Sequence, residues 1–251
     1  MKSTGITKAA GDSPAFHPLY RQIKSLITQS LVSGEWRPGD SIPSEIDLAN
    51  RYSVSQGTVR KAVAELADEK LLIRFQGKGT FVASHADERD NFPFLRMTPD
   101  QGDLKGVSAT LLDFRRLRAD TVSARLLRLP AGASVYMIRR VLALSARKIC
   151  FEEVRLPANR YRGLSAALIE QHDCMLYSMY ETGFSVRIVH AEEQLKAVVA
   201  PPEAAAALDL PAGAPVLQIE RVASTYGENP AELRRSWNDT RVHHYRNRIL
   251  A

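Results

Sequence analysis

The sequence predicts an α+β protein of two domains, an N-terminal helix-turn-helix closed by a β-hairpin and a larger sheet-based domain behind it. Three observations predict this. Between residues 17 and 83, apolar side chains recur at helical spacing and then switch to strand-like alternation around a glycine turn. Residues 84–105 are polar and rich in turn formers, which reads as a linker. Beyond them the chain repeats a turn-then-strand unit. The expected division is a flexible tail over 1–16, a DNA-binding domain over 17–83, the linker over 84–105 and a second domain over 106–251.

Leu19, Ile23, Leu26, Ile27 and Leu31 mark one face of the first helix, which should end at Gly34 because glycine tolerates the left-handed C-terminal position. Arg37-Pro38-Gly39-Asp40 reads as a tight turn. Ser44, with Asp47 three residues on, is a capping signal for a second helix carrying Leu48, Ala49 and Tyr52. Ser53-Val54-Ser55 interrupts it, and Ser55 can cap a third helix with an inward face of Val59, Ala62, Val63 and Leu66. Two short helices about a three-residue turn form a helix-turn-helix, with Val54 buried in the turn. Residues 73–82 alternate on both sides of Gly77-Lys78-Gly79, which predicts a hairpin and makes the unit a winged helix.

This region resembles the GntR family of bacterial regulators. The resemblance is carried by Pro18-Leu19-Tyr20, Pro38-Gly39, Pro43-Ser44-Glu45, Leu48-Ala49, Val54-Ser55, residues 58–62, Leu66 and residues 76–82. It implies sequence-specific binding of double-stranded operator DNA.

Charge placement agrees with that implication better than net charge does. The chain is +6 overall, yet residues 17–83 hold nine basic and seven acidic side chains. Arg60 and Lys61 lie early in the recognition helix, and Glu65, Asp68 and Glu69 lie at its far end. A helix entering the major groove by its N-terminus brings the basic end to phosphate. The candidate DNA contacts are therefore Ser44, Ser55, Gln56, Gly57, Thr58, Arg60 and Lys61 on the helices, and Arg74, Gln76, Gly77 and Lys78 on the wing. Gln56 is suited to a bidentate contact with adenine. Family members usually carry arginine at that position, threonine where Gly57 stands and often arginine where Ile46 stands. These departures point to a different operator preference.

In the second domain, residues 127–141 align without gaps to residues 208–222 with ten of fifteen pairs identical, which predicts two similar halves sharing one sheet. Strand alternation puts Arg140, Glu152 and Arg221 on otherwise apolar faces. A buried charge needs a partner. That partner is either internal, such as an Arg140–Glu152 pair that holds the sheet, or a ligand.

This half resembles the UTRA effector domain of the HutC subfamily of GntR regulators, over roughly residues 106–249. The resemblance rests on the two Leu-Pro-Ala-Gly-Ala turns, Arg140, Glu152, Leu156-Pro157, Leu176-Tyr177, Gly183, Ala191, Ala197, residues 219–221 and Glu232. It implies a chorismate-lyase-like antiparallel sheet flanked by helices, a homodimer made through this domain, and a small-molecule effector site at Arg140, Glu152, Tyr177, His190, Arg221 and Glu232. Leu142 and Met175 replace an arginine and a serine common in the subfamily, which argues against a sugar-phosphate effector.

No phosphate-binding glycine loop, zinc-spaced cysteine set or nucleophile elbow is present, so neither catalytic residues nor a metal or other cofactor are expected. Cys150 and Cys174 suit free thiols in a reducing cytoplasm, and no apolar run is long enough to span a bilayer. The leading expectation is a ligand-responsive transcription regulator, a repressor released by a small metabolite. The alternatives are a chorismate-lyase-like enzyme and a dimeric DNA-binding protein without an effector.

Overall fold

The computed structural model describes residues 18–84, 96–101 and 106–247. The expected tail and most of the expected linker lie outside them.

Helix α1 (Leu19–Ser33) ends where Gly34 turns left-handed at φ 75° and returns its N–H to the helix. Its buried residues are Ile23, Ile27, Ser30 and Leu31. Leu19 and Leu26 extend the apolar periodicity but are exposed, because the core stripe is narrower than the sequence pattern. Helices α2 (Glu45–Tyr52) and α3 (Gln56–Asp68) start on Ser44 and Ser55, whose hydroxyls accept from the N–H groups of Asp47 and Thr58. Between them Ser53 adopts φ 53° and half-buried Val54 packs against the core. Strands β1 (Leu72–Phe75) and β2 (Gly79–Val82) form the wing. Its turn closes by Lys78 N–H donating to the Phe75 carbonyl at 3.0 Å, with Gly77 at φ 74°. That positive φ at the third turn position is why glycine stands there.

The second domain runs β3 (Met97–Pro99), β4 (Val107–Arg118), α4 (Thr121–Leu126), β5 (Ser134–Leu144), β6 (Arg147–Pro157), α5 (Ala166–Gln171), α6 (Leu176–Phe184), β7 (His190–Val199), α7 (Pro202–Ala207), β8 (Pro215–Thr225), β9 (Asn229–Asn238) and β10 (His243–Tyr245). Six strands form one antiparallel sheet in the order β4-β5-β6-β9-β8-β7. Residues of α5 and α6 share a core with Ile138, Val154 and Leu156 on one face. On the other face, Leu126 and Leu127 pack with Val135 and Leu233, while Ala204 and Ala205 of α7 pack with Val141, Phe151 and Val216.

The strand order explains the sequence repeat. Each half is strand, helix, strand, strand, and the halves meet at β6 and β9 about a pseudo-two-fold axis. Equivalent details recur. Arg128 and Asp209 have φ of 51° and 54°, Gly132 and Gly213 have φ of 73° and 82°, and Ala133 and Ala214 each donate to the proline carbonyl three residues before at 3.1 Å.

One expectation needs correction. Residues 97–99 are not linker, because β3 pairs with β10 and buries Met97. The partner strand β10 divides its two histidines between the inside and the surface. Strand alternation turns His243 inward to 4 % exposure, while His244 meets Asp100 at 2.8 Å.

Candidate nucleic-acid interface and effector network

The N-terminus of α3 is presented to solvent. Gln56, Gly57, Arg60 and Lys61 are exposed, and the helix dipole leaves partial positive charge there. Ser55 Oγ also lies 2.9 Å from Thr58 Oγ1, so both expected contact residues are ordered by the cap. The acidic far end of α3 is held by Lys24 of α1, which reaches Glu65 at 3.2 Å and Glu69 at 2.5 Å. Arg60 on α3 and Arg74 on β1 converge on Glu45, at 2.9 and 3.0 Å. Lys61 instead lies over the Tyr20 ring, 3.9 Å from its centroid. Gln76, Gly77 and Lys78 form the exposed wing tip.

The second site is a buried ion network on the helix-covered face of the sheet. Arg140 Nε donates to Glu152 Oε2 at 2.7 Å, and its Nη1 donates to the Cys174 carbonyl. Arg234 Nη1 donates to Glu152 Oε1 at 3.1 Å, while its Nε and Nη2 grip Glu232 at 2.9 and 2.8 Å. Tyr177 and Tyr180 of α6 donate to the two Glu232 oxygens at 3.1 and 2.7 Å. Arg221 Nη1 lies 3.5 Å from Tyr177 Oη and its Nε donates to Glu193 at 2.7 Å. Tyr245 also donates to Glu193.

Three arginines thus balance three glutamates. Burial opposes ionisation of Glu152, but Arg140 and Arg234 outweigh it and bring its pKa down to about 2. Burial, reinforced by Glu232, pushes the Tyr177 phenol up to about 12. Tyr161 is fully buried against Tyr180, with ring centroids 4.9 Å apart, and its hydroxyl has no hydrogen-bond partner among the described residues.

The structure brings together Arg140, Glu152, Tyr177, Arg221 and Glu232. It does not bring His190 to them. Glu193 faces the network, so strand alternation sends His190 to the opposite sheet face, where its side chain is 58 % exposed beside Glu192 at 3.7 Å. Arg234, Glu193, Tyr180 and Tyr245 were missed. The Glu232–Arg234 pair had a signal, since residues two apart on a strand share a face, but choosing Arg234 over Arg235 required the register.

The two domains touch at a joint. Tyr226, in the turn of 3-10 helix between β8 and β9, is buried in the core that contains Ile23, Ile27 and Leu66. Arg187 Nη2 donates to the Lys70 carbonyl just past α3 at 3.2 Å, and Ser84 at the wing base donates to Glu181 of α6. Helix α6 therefore holds Glu232 through Tyr177 and Tyr180 and the wing base through Glu181.

Among the described residues no group of three or more metal-ligating side chains is found, and no helix is long and apolar enough to cross a membrane.

Residues 104–243 match the UTRA domain, and residues 19–82 match the bacterial regulatory proteins of the gntR family. The HTH-type transcriptional repressor NagR of Bacillus subtilis is 30% identical over 84% of this chain and 86% of its own length. The histidine utilization repressor of Klebsiella aerogenes is 34% identical over 47% of this chain and 50% of its own length. Among solved structures, the ligand-binding domain of a GntR-family transcriptional regulator from Bordetella bronchiseptica superposes with a TM-score of 0.62 at 38% identity, covering 64% of this chain and 99% of that one. PhnF from Mycobacterium smegmatis superposes with a TM-score of 0.53 at 25% identity, covering 91% and 99%. The UTRA match spans more than half of the chain, and with the N-terminal match it places the protein in the GntR family, among the HutC-type regulators that join a winged helix-turn-helix to a UTRA effector domain.

Proposed function

We propose that this ligand-responsive regulator is a repressor that acts in the cytoplasm as a homodimer on an operator of two inverted half-sites. The observation that carries the DNA half of the reading is the exposed, serine-capped N-terminus of α3 with Arg60 and Arg74 beside it. Ser55, Gln56, Gly57, Thr58 and Arg60 would enter the major groove, Ser44 would meet phosphate, and Arg74, Gln76, Gly77 and Lys78 would follow the wing. The printed names of NagR and the histidine utilization relative support repression.

The effector site in this reading is the buried network, with Arg140, Glu152, Tyr177, Arg221 and Glu232 joined by Arg234 and Glu193. Its balanced charges suit a small polar metabolite of no net charge, neutral or zwitterionic. The unpartnered Tyr161 hydroxyl supports a ligand there. A ligand that rearranged the Tyr177 and Tyr180 contacts would act on α6, and through Glu181 on the wing base. The two DNA-binding domains would then move out of the spacing that fits adjacent half-sites.

The test has two parts. Full-length protein should enrich a two-fold symmetric duplex from a randomised library. A panel of carboxylic acids, amino acids and sugars should contain a compound that both raises its melting temperature and lowers its affinity for that duplex. One observation favours the reading without an effector: the network satisfies its own charges internally. That reading predicts that no compound in the panel moves either measurement.

A further inference from the structure

Glu45 is the first residue of α2, at the surface shared by the recognition helix and the wing. Both of its oxygens are engaged. Oε2 accepts from Arg60 Nε at 2.9 Å, and Oε1 accepts from Arg74 Nη2 at 3.0 Å. The same Arg74 nitrogen reaches the Arg60 carbonyl at 3.3 Å. One carboxylate therefore joins three elements, α2, α3 and β1.

By charge alone a glutamate in this place opposes binding, because phosphates repel it. Its contribution to folding is small, since the Arg60 and Arg74 side chains are 60% and 42% exposed and exposed ion pairs stabilise little. Nor is it needed as the acidic residue of the helix start, because Asp47 supplies one while accepting the Ser44 hydroxyl at 2.6 Å. What Glu45 alone does is orient two arginines. Arg60 is held by Nε, which leaves both terminal nitrogens to donate elsewhere. Arg74 is held by one terminal nitrogen, which leaves Nε and the other. A guanidinium already fixed loses less side-chain freedom when it meets DNA.

We propose that Glu45 is a positioning residue for DNA recognition: its carboxylate holds the recognition-helix arginine and the wing arginine in one fixed relation, which raises specific binding and restrains nonspecific binding. This rests on the reading that Arg60 and Arg74 face the duplex.

The experiment uses full-length wild type, Glu45→Gln, Glu45→Asp, Arg60→Gln and the Glu45→Gln/Arg60→Gln double variant. The probes are the duplex that wild type selects from a randomised library and a scrambled duplex of the same composition, each titrated over a range of salt. Glu45→Gln is expected to bind the selected duplex about tenfold more weakly, the order of one well-made base contact. On the scrambled duplex it should bind as tightly as wild type or more tightly. Glu45→Asp, one methylene too short to reach both arginines, should behave the same way on the selected duplex. The double variant should lose less than the sum of the two single losses, because one of the two arginines that Glu45 orients is already gone, a non-additivity that a folding defect does not produce.

Undiminished binding of Glu45→Gln to the selected duplex would overturn the proposal, leaving simple repulsion. Equal losses on both duplexes, or additive losses in the double variant, would also overturn it. If wild type selects no duplex, the DNA-facing reading itself fails and takes this one with it.

Discussion

Arg234 donates through Nη1 to both oxygens of Glu152, at 3.1 and 3.3 Å, from the neighbouring strand of the other half of the sheet. Both residues are buried, and Arg140 closes on Glu152 from the other side. The candidate sensor thus lies on the seam where the two halves of the domain join.

Acid should weaken this seam. The folded pKa of Glu152 is depressed from 4.5 to about 2, so its stabilising contribution is complete above the unfolded value and is lost as pH falls from about 4.5 through about 2. A shift of that size corresponds to about 3 kcal/mol. Glu152→Gln leaves two buried arginines short of a counter-charge and should lose about 3–5 kcal/mol at pH 7. Its stability should then fall less steeply between pH 4.5 and 3. Urea unfolding at several pH values checks both; a pH 7 loss below about 1 kcal/mol would show that the pair does not hold the domain.

Gly57 has opposite expectations for stability and for DNA binding. A Cβ there would meet only Ser55 Oγ, at 3.8 Å, and the backbone is helical, so nothing in the free protein requires glycine. Gly57→Ala should stabilise the fold by about 0.5–1 kcal/mol through helix propensity. If the backbone approaches DNA at this point, the same variant should bind the selected duplex more weakly. Thermal melting and a binding titration on one preparation separate the effects.

Arg60 and Lys61 are neighbours with different expected roles. Lys61 lies over Tyr20, whereas Arg60 is 60% exposed beside the wing. Arg60→Ala should weaken binding to the selected duplex and lower the slope of log affinity against log salt, as loss of a cation held against the duplex does. Lys61→Ala should leave that slope closer to wild type. Equal slopes for the two variants would contradict this division.

The joint should report on local stability. Tyr226→Ala removes a buried ring from the winged-helix core, where loss of a large aromatic side chain typically costs about 3–5 kcal/mol. Amide exchange in α1, which packs beside Tyr226, should speed up while α5, whose Ile169 lies in a different core, stays protected. Uniform acceleration through both helices would mean that the domains unfold as one unit.

Local signals were legible in the sequence. Ser44, Ser55, Gly34 and Gly77 act within a turn of their own positions, so caps, helix ends and the wing could be read directly. The repeat foretold the pseudo-symmetric sheet, and alternation alone put Arg140, Glu152 and Arg221 on inward faces. Pairing between distant segments was not legible. Strand β3 acquires its identity only from β10, far along the chain, so its residues read as linker. Glu193, Tyr180, Tyr245 and Arg234 arrive at the network from four separate elements, and neither their spacing nor their type announces the meeting. His190 was drawn in by resemblance, and the register of β7 against β8 moves it to the other face.

The seam also bears on how the chain folds. Within each half, neighbouring strands follow one another in sequence, and the β5–β6 turn needs only Ser145 and Ala146, both at positive φ. Such pairings close short loops and form readily. The β6–β9 pairing is different, since Arg234 and Glu152 are 82 residues apart. By contact order, closing that long loop is the step expected to be slow, and it brings the buried charges together only when both meanders are in register. A metabolite that bound across Arg140, Glu152 and Arg234 would therefore hold the last-formed contact of the domain, so occupancy would slow unfolding more than it speeds folding.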